Sequence, residues 1–262
     1  MIDLLERGEL DLDAVRSLAI DEADRMADMG FLPLVEWIMR KVSTDRQTFL
    51  FSATLDREVD VLVRRYMTDP VRHEVEADDE TIDDMTHRFL RVHEMDRVKV
   101  LAAIAAGVSR TMVFVRTKRG ADRLVSQLKR ENVDAGAIHG DLRQSARERA
   151  LKDFQSGSHV VLVATDVAAR GIHVDDVDVV VHFDPPEEHK GYVHRSGRTA
   201  RAGREGVVVT LVMWDQELAV EQLQRRLGLR QPIIEVFSND PRLADLATLD
   251  SPAPRRRIAS AS

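Results

Sequence analysis

Six short runs of branched apolar residues, spaced along the chain among stretches with helical periodicity, decide what this sequence can fold into. They are SLAID (17–21), TFLFS (48–52), TMVFV (111–115), VVLVA (160–164), VDVVVHF (177–183) and GVVVTLVM (206–213). The runs are continuous, not alternating, which is the pattern of strands covered on both faces, as in a parallel sheet. Helical patterns fall at 31–41, 56–66, 97–106, 118–131, 144–155, 189–201 and 215–227. Strands alternating with helices of this length imply right-handed βαβ units. The expected fold is α/β: a parallel sheet with helices on both faces.

The charge is placed unevenly. The 262 residues carry a formal net charge of −7, which taken alone argues against a nucleic-acid partner, because phosphate binding needs lysine and arginine. Yet residues 74–84, EVEADDETIDD, hold seven carboxylates and no base. The remainder is therefore neutral, and its arginines gather at strand ends. This acidic run follows Pro70, has few apolar residues, and reads as a solvated linker between two domains. An acidic surface loop inside one domain is the alternative. An apolar fraction of 44% supports a real core, and the absence of cysteine suits a reducing, cytoplasmic setting. The start, MIDLLERGELDLD, is too broken by charge for a signal peptide, and the longest apolar runs are far short of a membrane span. A monomer is expected, with no membrane partner.

Function in open α/β sheets sits at the carboxyl ends of the strands. After 17–21 comes Asp21-Glu22-Ala23-Asp24. Carboxylates there suit a Mg²⁺–phosphate site, one holding the metal through water and its neighbour orienting the attacking water. They equally suit the cap of a helix. Ser52-Ala53-Thr54 after 48–52 can join neighbouring loops or cap the helix at 56–66. Thr165-Asp166, ahead of Ala168-Ala169-Arg170-Gly171, can bond a phosphate or a facing loop. In YVHRSGRTARAGR (192–204), Arg195, Arg198, Arg201 and Arg204 recur every three residues, with Lys190 one turn earlier. That period puts them along one broad helix face, suited to bidentate phosphate contact. A solvated basic face paired with Glu187, Glu188 and Glu205 is the alternative.

Taken together, these segments resemble the DEAD-box RNA helicases of helicase superfamily 2. The matches follow the family's order: DEAD at 21–24 with its flank AIDEADRMADMGF, FSAT at 51–54, VFVRTKRGAD at 113–122, IHGDLRQSARERALKDFQSG at 138–157, VATDVAARGI at 163–172 and YVHRSGRTARAGREG at 192–206. The resemblance covers residues 1–230 and implies RecA-like architecture, with ATP and Mg²⁺ as cofactors and RNA, held through its sugar-phosphate backbone, as partner. It implies that Asp21 coordinates Mg²⁺ through water, that Glu22 positions the water attacking the γ-phosphate, and that Arg198 and Arg201 reach the ATP phosphates. Asp24 and His194 would connect motifs across an interdomain cleft, Ser52 and Thr54 would couple hydrolysis to strand separation, and Asp166 would help hold the interdomain network. Thr117, Gly140, Gln144, Arg147 and Thr165 would lie on the RNA side.

One departure stands out. The family cradles ATP phosphates in a glycine-rich loop ending Gly-Lys-Ser/Thr. This sequence has six lysines, Lys41, Lys99, Lys118, Lys129, Lys152 and Lys190, and none follows a glycine. The expectation is an N-terminally truncated helicase with negligible ATPase of its own, or a non-catalytic RNA-binding or partner-docking module. Its parts would be a remnant of the first RecA-like domain (1–73), the linker (74–84), a complete second RecA-like domain (85–240) and a disordered tail (241–262). His173, where the family often has an acidic residue, and Ser196 and Ala200 between the arginines are lesser departures.

Overall fold

The computed structural model describes residues 1–28, 30–52, 57–73, 85–169, 174, 177–199 and 206–246. The chain divides into two compact units, parted after residue 75. The acidic run 74–84 lies outside the described residues.

The first unit comprises α1 (Ile2–Glu6), β1 (Ser17–Ile20), α2 (Ala23–Asp28), α3 (Leu32–Met39), β2 (Gln47–Leu50) and α4 (Arg57–Tyr66). β1 and β2 pair in parallel, Ser17 opposite Gln47 through Ile20 opposite Leu50. Ile20, Ala23, Ala27, Met39, Val59 and Leu62 form its core. Glu36 on α3 receives Arg65 of α4 at 2.8 Å, and the Arg46 guanidinium donates to the Val42 and Ser43 carbonyls, closing the turn into β2. The Phe51 N–H donates to the Ile20 carbonyl and the Ala23 N–H to the Phe51 carbonyl. These two bonds bring residues 21–24 beside 51–52.

The second unit runs β3 (Met85–Arg91), α5 (Arg97–Ala106), β4 (Thr111–Phe114), α6 (Lys118–Arg130), β5 (Ala135–Ile138), α7 (Gln144–Gln155), β6 (Val161–Ala164), α8 (Asp166–Ala169), β7 (Val179–His182), α9 (His189–Ser196), β8 (Gly206–Val212), α10 (Glu217–Arg226) and β9 (Ile233–Glu235). All seven strands are parallel, in the order β5-β6-β4-β7-β8-β3-β9. Every residue of β4, β6 and β7 is buried, as continuous apolar runs require. On one face Val113, Val163, Val181 and Leu211 pack under Leu101 and Ile104 of α5 and Leu124 and Leu128 of α6. On the other, Met112, Phe114, Leu162 and Val180 pack with Phe154 of α7. The doubly covered parallel sheet is therefore as the sequence pattern predicts.

Three strands carry no such pattern. β3 reads MTHRFLR, with polar His87 at a buried position and Thr86, Arg88 and Arg91 half-buried. β5 reads AGAI, too small to register as a strand, and a Cβ on Gly136 would lie 2.8 Å from the His159 ring. β9 is a three-residue edge strand after Pro232. Two boundaries also differ. α9 stops at Ser196 with Gly197 as its C-cap, so the helix expected over 189–201 ends five residues early, at eight residues. A 3-10 turn at Pro241–Ala244 buries Leu243, and Leu246 joins the same core. A Cβ on Gly107 at the end of α5 would lie 2.6 Å from the Ala244 carbonyl oxygen. Residues 241–246 thus belong to the packed unit rather than to a tail. From 247 onward the chain lies outside the described residues.

Candidate functional site

In the first unit, Asp21 leaves the end of β1 exposed, and its Oδ1 accepts the Glu22 N–H at 2.9 Å. Glu22 has φ +50. The left-handed region is costly for a non-glycine residue and is concentrated at functional sites. Asp24 is buried, and its N–H donates to Ser52 Oγ at 3.0 Å. Ser52 therefore ties the carboxylate loop to the loop after β2. Two adjacent carboxylates, one of them exposed, fit Mg²⁺, which keeps most of its shell as water and phosphate oxygen and takes few protein ligands. Thr54 lies outside the described residues.

In the second unit, the expected RNA-side residues cluster at the carboxyl ends of three adjacent strands, β5, β6 and β4. Thr117 is the N-cap of α6, accepting the Gly120 N–H at 3.0 Å. Gly140 follows β5, and a Cβ there would meet Lys118 Cε at 3.4 Å. Lys118 pairs with Asp141 at 2.5 Å, and that hydrogen bond holds the Asp141 carboxyl below its ordinary range. Gln144 opens α7 and donates to Glu148 at 2.9 Å. Arg147 donates to the Ala168 carbonyl at 2.8 Å, so it also fixes α8. Thr165 is buried at the end of β6, its N–H on the Ile138 carbonyl.

The arginine series resolves into different jobs. Arg195 is turned inward and buried. It grips Asp166 with two bonds, Nε to Oδ1 and Nη2 to Oδ2, each 2.7 Å, and donates from Nη1 to the Asp184 carbonyl at 2.7 Å. Asp166 is thus held within the second unit. Arg198 lies in the turn after Gly197, half-buried, and not on a helix face with Arg195. The reason is the glycine that ends α9. Arg201 lies outside the described residues. His194 sits half-buried in the last turn of α9.

Sequence reasoning passed over Asp184 and Arg97. The Asp184 carboxylate accepts the Arg116 N–H at 2.8 Å and Arg97 Nη2 at 3.1 Å, and the Arg97 guanidinium lies 3.8 Å over the Phe183 ring. Burial lowers the Arg97 pKa from its ordinary value. The legible signal was Asp184 itself, a carboxylate just past the strand HF at 182–183. Beneath α9, Tyr192 is buried, shares a 2.8 Å hydrogen bond with His87 Nδ1, and stands edge-on to the His182 ring at 4.6 Å. His182 lies 3.3 Å from Thr210 Oγ1. Complete burial drives its pKa well below the ordinary histidine value, with Arg195 and His87 adding to the effect.

Residues 1–62 match the DEAD/DEAH box helicase model, and residues 94–203 match the helicase conserved C-terminal domain. The chain is 34% identical to E. coli DEAD-box protein SrmB, solved bound to regulator of ribonuclease activity A, and covers 90% of that chain and 58% of its own length at TM-score 0.52. The chain belongs to the DEAD-box helicase family. Among curated members, it is 39% identical to the ATP-dependent RNA helicase RhlB of Pseudomonas syringae over 87% of its own length and 58% of that protein. It is 38% identical to DEAD-box ATP-dependent RNA helicase 30 of Arabidopsis thaliana over 87% of its length and 39% of that one. It therefore spans roughly two-fifths to three-fifths of these two relatives. A structure of S. cerevisiae Dbp5 bound to RNA and ADP BeF3 shares 29% identity and TM-score 0.76, covering 91% of this chain and 64% of that one. The RecA-like fold follows from these neighbours and from the parallel sheet. Among the described residues, no helix is long and apolar enough to cross a membrane.

Proposed function

We propose that this chain carries the water-orienting carboxylates, the phosphate-sensing arginines and the RNA-backbone contacts of an ATP-dependent RNA helicase, and that alone it turns over little ATP. The observation that carries the reading is the grouping of Thr117, Gly140 and Thr165 at adjacent strand ends, with Arg195 binding Asp166 next to Thr165. In the first unit, Asp21 would hold Mg²⁺, and Glu22 beside it would orient a water molecule for attack. Mg²⁺ and ATP, when bound, supply the electrophilic phosphorus and the neutralising charge. In the second unit, Arg198 and Arg201 stabilise charge on phosphate oxygens, while Thr117, Gln144 and Arg147 hold sugar and phosphate without reading bases. Domain boundaries at 1–73 and 85–246, a monomeric state and a cytoplasmic setting complete the proposal, the last supported by the absence of cysteine.

Low turnover follows from the sequence: no lysine of this chain follows a glycine, so it offers no Gly-Lys-Ser/Thr cradle for the β- and γ-phosphates. The purified chain should show RNA-stimulated ATP hydrolysis at background. Turnover that Glu22→Gln abolishes would overturn that part. Single-stranded RNA should bind with an affinity that falls as salt rises. Arg147→Ala should weaken it several-fold, more than its effect on melting temperature explains. No binding at low salt would reject the RNA reading.

A further inference from the structure

We propose that the apolar surface at the carboxyl ends of β8, β3 and β9 is a docking face for the chain's own basic stretch Arg255-Arg256-Arg257-Ile258. The RNA-side residues Thr117, Gly140 and Thr165 follow β4, β5 and β6, towards the opposite edge of the sheet, and leave the loops after β8, β3 and β9 unassigned.

The strand ends are aligned: Arg91 lies opposite Val212 on one side and Glu235 on the other. The three loops that leave them are tied together. The Val92 N–H donates to the Val212 carbonyl, the Val236 N–H to the Arg91 carbonyl, and Ser238 donates through both its N–H and Oγ to Asp96. Each loop offers a large apolar side chain to solvent. Met95 is 89% exposed, Trp214 80% and Phe237 49%, and Leu218 in the first turn of α10 is 66% exposed. Single exposed apolar residues are ordinary, but Met95, Trp214 and Phe237 on three adjacent loops, with Leu218 at the start of α10, gather exposed apolar side chains at one place, as interaction sites do.

The charge around the patch selects the occupant. Its loops and flanks carry five carboxylates, Glu94, Asp96, Asp215, Glu217 and Glu235, against the guanidiniums of Arg91 and Arg97. Arg91 is paired with Glu217 at 3.0 Å and Glu235 at 3.5 Å, and Arg97 with Asp184, so the acidic excess of these loops rests on Glu94, Asp96 and Asp215. Exposed aromatics on a nucleic-acid-binding domain suggest base stacking, but an acidic rim repels phosphate. It attracts arginine, which also stacks on the face of a tryptophan. The sequence beyond the described residues contains such a segment, three consecutive arginines followed by isoleucine, with Asp250 the one acidic side chain from 247 to 262.

The geometry allows the tail to reach. Residues 238–244 run along α5 from its N-cap, where Ser238 meets Asp96, to Gly107, where Ala244 closes in. The chain is anchored there by the Leu246 carbonyl, which accepts Arg88 Nε at 3.1 Å. The patch is thus one α5 length away, about 15 Å at 1.5 Å per residue. The dozen residues to Ile258 extend up to about 40 Å. Tethering gives such a segment an effective concentration on the order of millimolar, enough for a weak site to fill.

The test uses Trp214 as reporter in a Trp37→Phe background, which leaves it the one tryptophan of the chain. Acrylamide quenching of Trp214 should be about twofold weaker in the full chain than in a chain ending at Leu246, because docking shields it. The difference should vanish in about 1 M NaCl, where the Debye length falls to about 3 Å. It should also vanish when Arg255, Arg256 and Arg257 are changed to Glu, and in the double variant Glu94→Lys/Asp215→Lys, whose folding is checked by circular dichroism. A synthetic peptide of residues 247–262 added to the shortened chain should restore the protection. Equal quenching in the full and shortened chains would overturn the proposal. So would protection that grows with protein concentration, which marks a second copy, or protection that appears only on adding RNA.

Discussion

Glu22 shows what a single position costs. Its φ of +50 is the backbone conformation that glycine adopts freely and other residues resist. Replacing it with glycine should stabilise the first unit by roughly 1 kcal/mol, measured as a higher urea midpoint, while removing the carboxylate the proposed chemistry needs. An unchanged or lower midpoint would show that the side chain's own interactions outweigh the strain. Arg195 illustrates the other limit of sequence reading. Its spacing from Arg198 and Arg201 marked it as basic and periodic, but nothing in that spacing said which arginine turns inward. The structure shows Arg195 buried against Asp166 and the Asp184 carbonyl. Arg195→Met should therefore destabilise the second unit by about 3 kcal/mol, because Asp166 is left uncompensated in a partly buried place. Asp166→Asn should recover part of that loss in the double variant. Additive losses, with no coupling in the cycle, would mean the pair is a surface ornament.

At the scale of elements, the strands that were legible are the ones whose every residue is apolar and covered twice. β3, β5 and β9 escaped because sheet position, not composition, makes them strands: β3 tolerates His87 and Arg88 by giving each a partner, and β5 needs a glycine under His159. α9 was legible at its start and not at its end, since three-residue arginine spacing continues past the glycine that stops the helix. What holds α9 to the sheet centres on Tyr192, which packs with Phe89 and Val208 and bonds His87, with His182 and Thr210 beside it. This arrangement makes a pH prediction. The folded His182 has a pKa well below its unfolded value of about 6.5, so between the two the unfolded chain binds more protons. Stability is complete above about pH 6.5 and falls as the solution is acidified, by at most ~1.4 kcal/mol per pH unit for this one group. Urea midpoints of the second unit measured from pH 7.5 to 5 should decline, and His182→Asn should flatten the slope. An equal slope in the variant would assign the acid sensitivity to other groups.

For the whole molecule, core size is what separates the two units. Among the described residues, the first has two strands, each paired only with the other, and a single packed cluster of six buried residues. It leaves Phe31, Leu34, Phe49 and Phe51 exposed. Among the described residues, the second has seven strands and apolar cores on both faces of its sheet. A unit of fewer than about eighty residues gains little from one small core, so the two should not unfold together. Each holds one tryptophan, Trp37 in α3 and Trp214 after β8, which makes the prediction direct. In urea, fluorescence of the Trp214→Phe chain, which reports the first unit, should move at lower denaturant and with a smaller slope than that of the Trp37→Phe chain, because the slope scales with the surface exposed on unfolding. Limited proteolysis under native conditions should leave a fragment beginning near residue 85 and extending to about 246, since Leu243 and Leu246 are packed in the core. Coincident transitions from both tryptophans would show that the units stand or fall together, and the net charge of −7, concentrated in residues 74–84 where the two units part, would then mark something other than a boundary of stability.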